Sequence, residues 1–235
     1  MDPTVPKGAA LLLDFIRETE VGRSDRASYD VIYGHNQDKL AKPITSMTIG
    51  DLIDLQASFT KKYKSSASGG YQFMRATLQD LARELSLRGT QVFDPDLQDR
   101  LAYHLLKRRG YEAYMSGNIS RTEFGKRLAQ EWASFPVLET TKGGTRAVVT
   151  RGQSFYAGDG LNKALVSPEK FESVLDRVKA AGNRLAPTPA PSPRAETPTP
   201  PSTTPTPTQG KGGLIGLIIA AIAAAAAIFF GITGD

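Results

Sequence analysis

A proline-rich segment near the C-terminus limits how much of this chain can form a folded core. Residues 186–208 read APTPAPSPRAETPTPPSTTPTPT and hold nine of the 15 prolines of the 235-residue chain, among threonine, alanine and serine. This composition lacks the apolar side chains that a core needs and favours an extended, semi-rigid spacer. We therefore predict a folded domain at residues 1–185 and a Pro/Thr-rich linker at residues 186–211.

An apolar segment follows the linker. Residues 212–235 read GGLIGLIIAAIAAAAAIFFGITGD, and they are strongly apolar from Leu214 to Ile232. As a helix this apolar stretch would be about 28 Å long, close to the ~30 Å hydrocarbon thickness of a bilayer. The alternative is a buried core helix, but behind a spacer it would have no domain to be buried in. The pattern predicts one C-terminal transmembrane helix, with the membrane as a partner.

The N-terminus bears on where the protein would lie. Its first residues, MDPTVPKGAALLLDFIRETE, have an acidic second residue and lack a small-residue cleavage site, so they do not resemble a secretory signal peptide. We expect a domain made in the cytoplasm and anchored to the membrane by the single C-terminal span.

The composition excludes several kinds of chemistry. The chain has no cysteine and two histidines, His35 and His104, which removes disulfide frameworks, cysteine-based zinc sites and cysteine nucleophiles. We expect no metal and no cofactor. The net charge is +5, and runs such as Lys61, Lys62 and Lys64 suit either an anionic surface or a solvated helix face. No nucleic-acid motif accompanies these runs, so we expect no nucleic-acid partner.

Capping patterns predict that the first 185 residues are mainly helical. A helix is expected to open at Asp94-Pro95 and close at Gly110, and another to open at Ser167-Pro168 and close at Gly182. Capping boxes mark two more starts, and apolar periodicity indicates others. The further helices are predicted after Thr48, after Ser120, over about residues 72–87 and in the N-terminal segment.

A short β-structure is predicted between the first two helices. The segment YDVIYG at residues 29–34 alternates like a strand and ends in a turn-forming glycine, and KPITSM at residues 42–47 is a candidate partner strand. The predicted class is therefore α+β, with a small sheet beside a helical body.

One carboxylate lies on the apolar side of the first predicted helix. The apolar positions Ala9, Leu12, Leu13 and Ile16 recur at helical spacing, and four residues further along is Glu20. Burial and the C-terminal end of a helix would both raise the pKa of this carboxyl group, which suits a general acid near neutral pH. The alternative is a helix that has already frayed at this point, which would leave Glu20 solvated in a loop.

A cluster of small residues precedes the next aromatic run. Residues 64–74 read KSSASGGYQFM, with six small side chains ahead of Tyr71 and Gln72. We interpret the small residues, including Gly70, as a low backbone rim that admits a large polar ligand, with the aromatic and amide groups beside it. The alternative is a flexible loop before a helix. Phe73 and Met74 are expected to be packing residues.

The order of four segments, LLDFIRETE, YDVIYG, SSASGGYQFM and EWASFP, resembles the lysozyme-like endolysin family of bacteriophage lambda. The resemblance covers roughly residues 9–180. It implies a lysozyme-like fold and a peptidoglycan substrate. It also implies cleavage of the β-1,4 bond between N-acetylmuramic acid and N-acetylglucosamine by a lytic transglycosylase, which leaves a 1,6-anhydro sugar. Such a protein would be a phage endolysin or a bacterial relative that remodels the cell wall.

The resemblance also implies roles for individual residues. Carried onto this sequence, the catalytic glutamate of the family falls on Glu20, and its glycan-contacting residues fall on Tyr29, Asp30, Tyr71 and Gln72.

Two features of the resemblance leave alternatives open. Trp132, the single tryptophan, is a candidate glycan contact in the EWASFP segment but equally suits a core position. The family usually places glycine directly after its glutamate, whereas Val21 precedes Gly22 in this chain. The local turn after Glu20 is therefore not fixed by the resemblance.

The number of carboxylates separates the mechanistic alternatives. Hydrolytic glycosidases generally use two carboxylates, about 5 to 9.5 Å apart, whereas a transglycosylase can use Glu20 alone. If Asp25 or Asp30 faced Glu20 across the groove, the protein would be a hydrolytic muramidase. A non-catalytic peptidoglycan-binding module is the third alternative, since a fold does not guarantee chemistry.

Overall fold

The computed structural model describes residues 1–183, which form a mainly helical α+β domain. The helices are α1 (Lys7–Val21), α2 (Ile49–Tyr63), α3 (Arg75–Glu84), α4 (Pro95–Arg108), α5 (Tyr111–Met115), α6 (Arg121–Glu131) and α7 (Pro168–Asn183). Two short strands, β1 (Thr141–Lys142) and β2 (Val148–Val149), pair antiparallel between α6 and α7.

The predicted helix starts are confirmed by their capping hydrogen bonds. The side chain of Thr48 accepts from the backbone N–H of Asp51 (3.1 Å) at the start of α2. Asp94 and Ser120 cap α4 and α6 in the same way. Each such cap contributes about 1 kcal/mol to stability because it satisfies a backbone donor that has no partner inside the helix.

The strands predicted at residues 29–34 and 42–47 are wrong. These segments form 3-10 turns at Arg26–Asp30, Tyr33–His35 and Ile44–Ser46, and Ile32 makes a single antiparallel bridge to Ser68. The side chains of this segment do not alternate between two faces, because the neighbouring residues Val31 and Ile32 are both buried, and Gly34 takes a left-handed conformation that turns the chain away. The small sheet lies instead at residues 141–149.

The core is built around α1. Leu12, Leu13 and Ile16 are fully buried on the face that packs against α7 and α4. The rings of Phe15, Phe135 and Phe171 form a stack, with Phe135 lying 5.6 Å from Phe15 and 4.5 Å from Phe171. This stack joins α1 and α7 to the turn after α6.

Helices α1 and α7 approach closely at Gly8. A Cβ atom at this position would lie 2.8 Å from the carbonyl oxygen of Val178 and 2.8 Å from the hydroxyl of Tyr111. Glycine is therefore required by the close approach of the two backbones, although it lowers the intrinsic helix propensity of α1.

The small residues before Tyr71 are enclosed, but Ser65 and Ala67 among them border a cavity at the end of α1, so the interpretation as a rim stays a prediction. Residues 65–70 are all buried. The side-chain amide of Gln56 donates to the carbonyl oxygens of Ser66 (2.7 Å) and Phe73 (2.9 Å), which fastens both ends of the segment to α2. A Cβ at Gly69 would lie 2.4 Å from Gln98. The segment is small because helices α2 and α4 enclose it.

The predicted C-terminal segments lie outside the described residues. Within residues 1–183, no helix is long and apolar enough to cross a membrane. The linker at residues 186–211 and the apolar segment at residues 212–235 remain predictions from sequence, as does the domain boundary at residue 185.

Candidate active site

A cavity of about 580 Å³ surrounds the C-terminal end of α1. Its wall includes Glu20, the segment from Val31 to His35, the segment from Tyr71 to Met74, and Trp132 with Ala133. We call this space the Glu20 cavity. Its volume is in the range of small-molecule and cofactor sites in proteins, which are generally about 300–1,000 Å³.

Glu20 is helical and lies beside the cavity. Helix α1 extends to Val21 and ends at Gly22, which adopts a left-handed conformation (φ 74°) and donates its N–H to the carbonyl oxygen of Glu18 (3.0 Å). This glycine cap ends the helix one residue after Val21. The frayed-helix alternative is therefore wrong, and the half-buried Glu20 side chain continues the apolar stripe of α1 as the spacing predicts.

The environment of Glu20 favours its neutral form. Burial raises the pKa of the Glu20 carboxyl group to about 7, because few polar groups replace the water that its charged form would need. A hydrogen bond from the Ser134 hydroxyl to Oε1 of Glu20 opposes this increase in pKa. The carboxyl group is thus able to release and recover a proton near neutral pH.

A second carboxylate borders the same cavity but has a cationic partner. Glu131, at the end of α6, is largely buried, and its Oε2 lies 2.7 Å from Nε of Arg109. This contact pairs the Glu131 carboxylate with the Arg109 guanidinium. Among residues 1–183, Glu20 and Glu131 are the two carboxylates that border the Glu20 cavity.

The other candidate carboxylates lie next to the cavity rather than in its wall. Asp25 and Asp30 border an adjoining depression of about 670 Å³, which meets the Glu20 cavity along Val21, Gly22, Val31 and His35. We call it the adjoining depression.

Both of these aspartates already have partners. The hydrogen bond and charge of Arg23 hold the pKa of the exposed Asp25 below its usual value. Asp30 accepts a hydrogen bond from the backbone N–H of Thr45 (2.9 Å). This bond joins the 3-10 turn at Arg26–Asp30 to the one at Ile44–Ser46.

The two tyrosines predicted to contact glycan are buried. Tyr71 borders the Glu20 cavity, whereas Tyr29 does not. Both hydroxyls donate to Oδ1 of Asp99, a fully buried carboxylate on α4, at 2.8 Å from Tyr29 and closer from Tyr71. Arg17 also contacts this carboxylate (3.3 Å) and donates to the carbonyl oxygen of Ser24 (3.1 Å).

The burial of these phenols has an electrostatic consequence. Burial, reinforced by the charge of Asp99, raises the pKa of both tyrosines well above the usual value. Their hydroxyls are thus neutral donors, and the cluster ties the chain on both sides of Glu20 to α4.

Of the remaining residues predicted to contact glycan, Gln72 and Trp132 border the cavity and Gly70 does not. Gln72 borders the cavity, and its side-chain amide donates to the carbonyl oxygen of Gly69 (2.8 Å). Trp132 is 4% exposed, borders the cavity and donates its ring N–H to the carbonyl oxygen of Tyr71 (3.3 Å). Gly70 is buried outside the cavity wall, where a Cβ would lie 2.6 Å from Cδ of Arg17.

The two expectations for packing residues have different outcomes. Phe73 is 2% exposed and belongs to the core, as predicted. Met74 is only half-buried and forms part of the cavity wall, so its flexible apolar side chain faces the space beside Glu20.

Sequence reasoning missed three polar residues of this region. Arg17 and Asp99 were not considered, although Arg17 lies four residues after Leu13 on the buried stripe of α1, which is a detectable signal. Ser134 lies inside the EWASFP segment but was not distinguished from its neighbours, because nothing in one sequence indicates which serine faces a glutamate 114 residues away.

The described residues do not suggest a metal centre. Within residues 1–183, no three histidine, aspartate or glutamate side chains form a group able to hold a metal ion. The polar groups of the Glu20 cavity include a carboxyl group with a raised pKa and side-chain amide and ring N–H donors, and the Ser134 hydroxyl contacts this carboxyl group from outside the cavity wall.

The fold and the site together define a helical protein with a ligand-sized cavity built around an acid that titrates near neutral pH, an arrangement typical of enzymes that use general acid-base catalysis. The chain belongs to the endolysin family: the model of that family matches residues 10–160, which include Glu20, Ser134 and most of the cavity wall. The family indicates a phage enzyme that degrades peptidoglycan. No curated protein and no solved structure matches the chain.

Proposed function

We propose that this endolysin is a lytic transglycosylase that cleaves the β-1,4 bond between N-acetylmuramic acid and N-acetylglucosamine, with Glu20 as the one catalytic carboxyl group. The observation that carries the proposal is that Glu20 has a pKa raised to about 7, whereas the other carboxylate of the cavity, Glu131, is engaged by Arg109. One group that can both give and take a proton near neutral pH is sufficient for this reaction.

The first step uses the protonated form of Glu20. The carboxylic acid donates its proton to the glycosidic oxygen, and the bond between this oxygen and the anomeric carbon of the muramic sugar breaks. The N-acetylglucosamine side leaves as an alcohol, and positive charge develops at the anomeric carbon. Burial favours this step because it keeps the proton on Glu20 at neutral pH.

The second step uses the carboxylate that the first step leaves. The 6-hydroxyl of the same muramic sugar attacks its anomeric carbon, and Glu20 removes the hydroxyl proton as the new carbon–oxygen bond forms. The product is a 1,6-anhydro sugar, Glu20 is protonated again, and no water is consumed. A nucleophilic or basic second carboxylate is not required.

The proposed substrate contacts follow from the cavity wall. Gln72, Trp132 and Tyr71 border the cavity and are proposed to line the glycan path. Tyr29, Asp30 and Gly70 lie outside the wall of the Glu20 cavity and are proposed to support it, since each is hydrogen-bonded to α4 or to a neighbouring turn.

The test is mass spectrometry of soluble products from purified peptidoglycan treated with the full-length protein. The wild type is expected to release anhydro-muropeptides, and Glu20→Gln is expected to release fewer by at least a factor of about 10³, because amides cannot donate this proton. Glu18→Gln is the matched control, since Glu18 lies on the same helix, is 57% exposed and pairs with Lys170.

The alternatives give different products. Reducing-end muropeptides that disappear in Glu20→Gln would identify a hydrolase and direct attention to Glu131, Asp25 and Asp30. Binding of peptidoglycan without any soluble product from the wild type would identify a non-catalytic binding module.

We also propose that residues 212–235 anchor the enzyme to a membrane and that the linker at residues 186–211 sets its reach. The proposal rests on the sequence alone, through the length and uncharged character of the apolar stretch. The linker would extend up to about 3.1 Å per residue in a polyproline-like conformation.

A further inference from the structure

We propose that Ser134 is a positioning residue that fixes which oxygen of the Glu20 carboxyl group faces the scissile bond. The proposal rests on the proposed role of Glu20 as the catalytic acid. Ser134 is 2% exposed, and its hydroxyl contacts Oε1 of Glu20 across the interface between the end of α1 and the turn after α6.

The turn that carries Ser134 is held on several sides. The N–H of Phe135 donates to the carbonyl oxygen of Trp132 (3.0 Å), which closes the turn. The hydroxyl of Ser154 donates to the carbonyl oxygen of Ala133 (2.8 Å). The backbone N–H of Leu165 donates to the carbonyl oxygen of Ser134 (2.8 Å). These bonds occupy backbone groups of the turn and leave the Ser134 hydroxyl to contact Glu20.

An aromatic stack fixes the distance between the turn and α1. Phe135 directly follows Ser134, and its ring lies nearly parallel to that of Phe15 (5.6 Å, 8°), which precedes Glu20 by five residues on α1. Phe171 of α7 packs against both rings, 4.5 Å from Phe135 and 6.3 Å from Phe15. Both partners of the Ser134–Glu20 hydrogen bond are therefore attached to the same packed core, which favours a fixed geometry.

The hydrogen bond determines where the acid proton resides. A hydroxyl that donates to Oε1 makes this oxygen an acceptor, so the carboxylic proton of Glu20 is carried by Oε2. Oε2 then donates the proton to the glycosidic oxygen and, as part of the carboxylate, accepts the proton of the 6-hydroxyl. Without the Ser134 hydroxyl, either oxygen can carry the proton, and a productive orientation is populated for less of the time.

The same hydrogen bond affects titration. The Ser134 hydroxyl stabilises the carboxylate form and so lowers the pKa of Glu20 against the effect of burial. The other titratable side chains that border the cavity are Tyr33, His35, Tyr71 and Glu131, of which Tyr71 contacts Asp99 and Glu131 contacts Arg109. Removal of the hydroxyl is therefore expected to move the pKa of Glu20 upward, toward the value set by burial.

The test compares Ser134→Ala and Ser134→Thr with Ser154→Ala in the full-length protein. Ser154 is an equally buried serine that supports the same turn but contacts the Ala133 carbonyl instead of a carboxyl group. The readouts are kcat and KM for muropeptide release as a function of pH, and the titration of Glu20 by NMR of ¹³C-labelled glutamate carboxyl groups in detergent.

In Ser134→Ala the alkaline limb of the kcat profile and the NMR titration of Glu20 are expected to shift upward by about half to one pH unit, with kcat about tenfold lower and KM within about twofold. Ser134→Thr, which retains a hydroxyl, is expected to restore the wild-type profile. Ser154→Ala is expected to lose stability without a shift in either titration.

Two results would overturn the proposal. One is a Ser134→Ala profile and titration that superimpose on those of the wild type; the other is an equal shift in Ser154→Ala, which would show that support of the turn is sufficient. Failure of the proposed function is recognised separately, because the wild type would then release reducing-end muropeptides or no soluble product, while the NMR titration still reports the Ser134 contact.

Discussion

At the scale of single residues, Glu20 shows how one side chain acquires a property that its type does not have. A glutamate in water is ionised at neutral pH, whereas Glu20 borders a mainly apolar cavity at the end of α1 and its pKa rises to about 7. The same burial makes its carboxylate form unfavourable for folding. A group with a task in proton transfer is therefore expected to reduce the stability of the protein.

This cost gives a prediction for the pH dependence of stability. Because the pKa of Glu20 is 4.5 in a model peptide and about 7 in the folded protein, the folded state retains a proton that the unfolded chain has released between these values. Stability from this group is present below pH 4.5 and is lost as the pH rises to about 7. Glu20→Gln, which cannot ionise, is expected to exceed the wild type in free energy of unfolding by about 3 kcal/mol at pH 8, because each pH unit between the two pKa values corresponds to about 1.4 kcal/mol.

Urea unfolding of the two proteins from pH 4 to pH 8.5 checks this expectation. The difference in free energy of unfolding should be close to zero at pH 4, grow through the window and level off above pH 7. Glu18→Gln serves as the control, because its exposed side chain should give little pH-dependent difference. A constant difference between Glu20→Gln and wild type over the whole range would contradict the raised pKa.

At the scale of secondary-structure elements, capping residues in the sequence determine where several helices start, whereas close contacts between helices determine how they pack. The start of α2 at Thr48, that of α4 at Asp94 and that of α6 at Ser120 could be read from caps in the sequence. The conformation of residues 29–34 could not be read in this way, because tertiary packing buries the neighbouring residues Val31 and Ile32 together. The isolated bridge between Ile32 and Ser68 is the only strand-like pairing that Ile32 makes within residues 1–183.

The crossing of α1 and α7 provides a test in which two local effects have opposite signs. Helix propensity predicts that Gly8→Ala stabilises α1 by about 1 kcal/mol. The added Cβ would lie 2.8 Å from the backbone oxygen of Val178, which cannot move without shifting α7. We expect the steric effect to dominate and the variant to be destabilised by about 1–3 kcal/mol.

Thermal and urea unfolding measure this effect. Gly89→Ala is a suitable control, since the nearest atom to its added Cβ is the Cα of Gly50 at 4.0 Å and no clash is expected. Equal or greater stability of Gly8→Ala relative to wild type would show that the helices separate at little cost.

At the scale of the whole molecule, the chain combines a catalytic domain with a predicted anchor. The family match ends at residue 160, and the structure continues through α7 to residue 183. The apolar segment at residues 212–235 is expected to determine where the enzyme resides, whereas the Glu20 cavity is proposed to determine what it does to its substrate.

Deletion of residues 212–235 separates these two roles. The truncated protein is expected to release the same muropeptides from purified peptidoglycan at a rate within about twofold of the full chain, because the wall of the Glu20 cavity, as described for residues 1–183, is retained. Its association with lipid vesicles should fall by at least a factor of about 10, since the predicted span would be lost. Vesicle flotation measures the partition, and equal partition of both proteins would contradict the anchor proposal.

The sequence by itself determined the helical class, the main helix starts and the position of Glu20 on the apolar stripe of α1, because these depend on local spacing and capping. Its composition also set residues 186–235 apart from the folded domain. Only the tertiary structure decided that residues 65–70 are buried, that Tyr29 and Tyr71 donate to Asp99, and that Ser134 contacts Glu20. These features depend on contacts between residues 10 to 114 positions apart, and no local pattern encodes which distant side chains will meet.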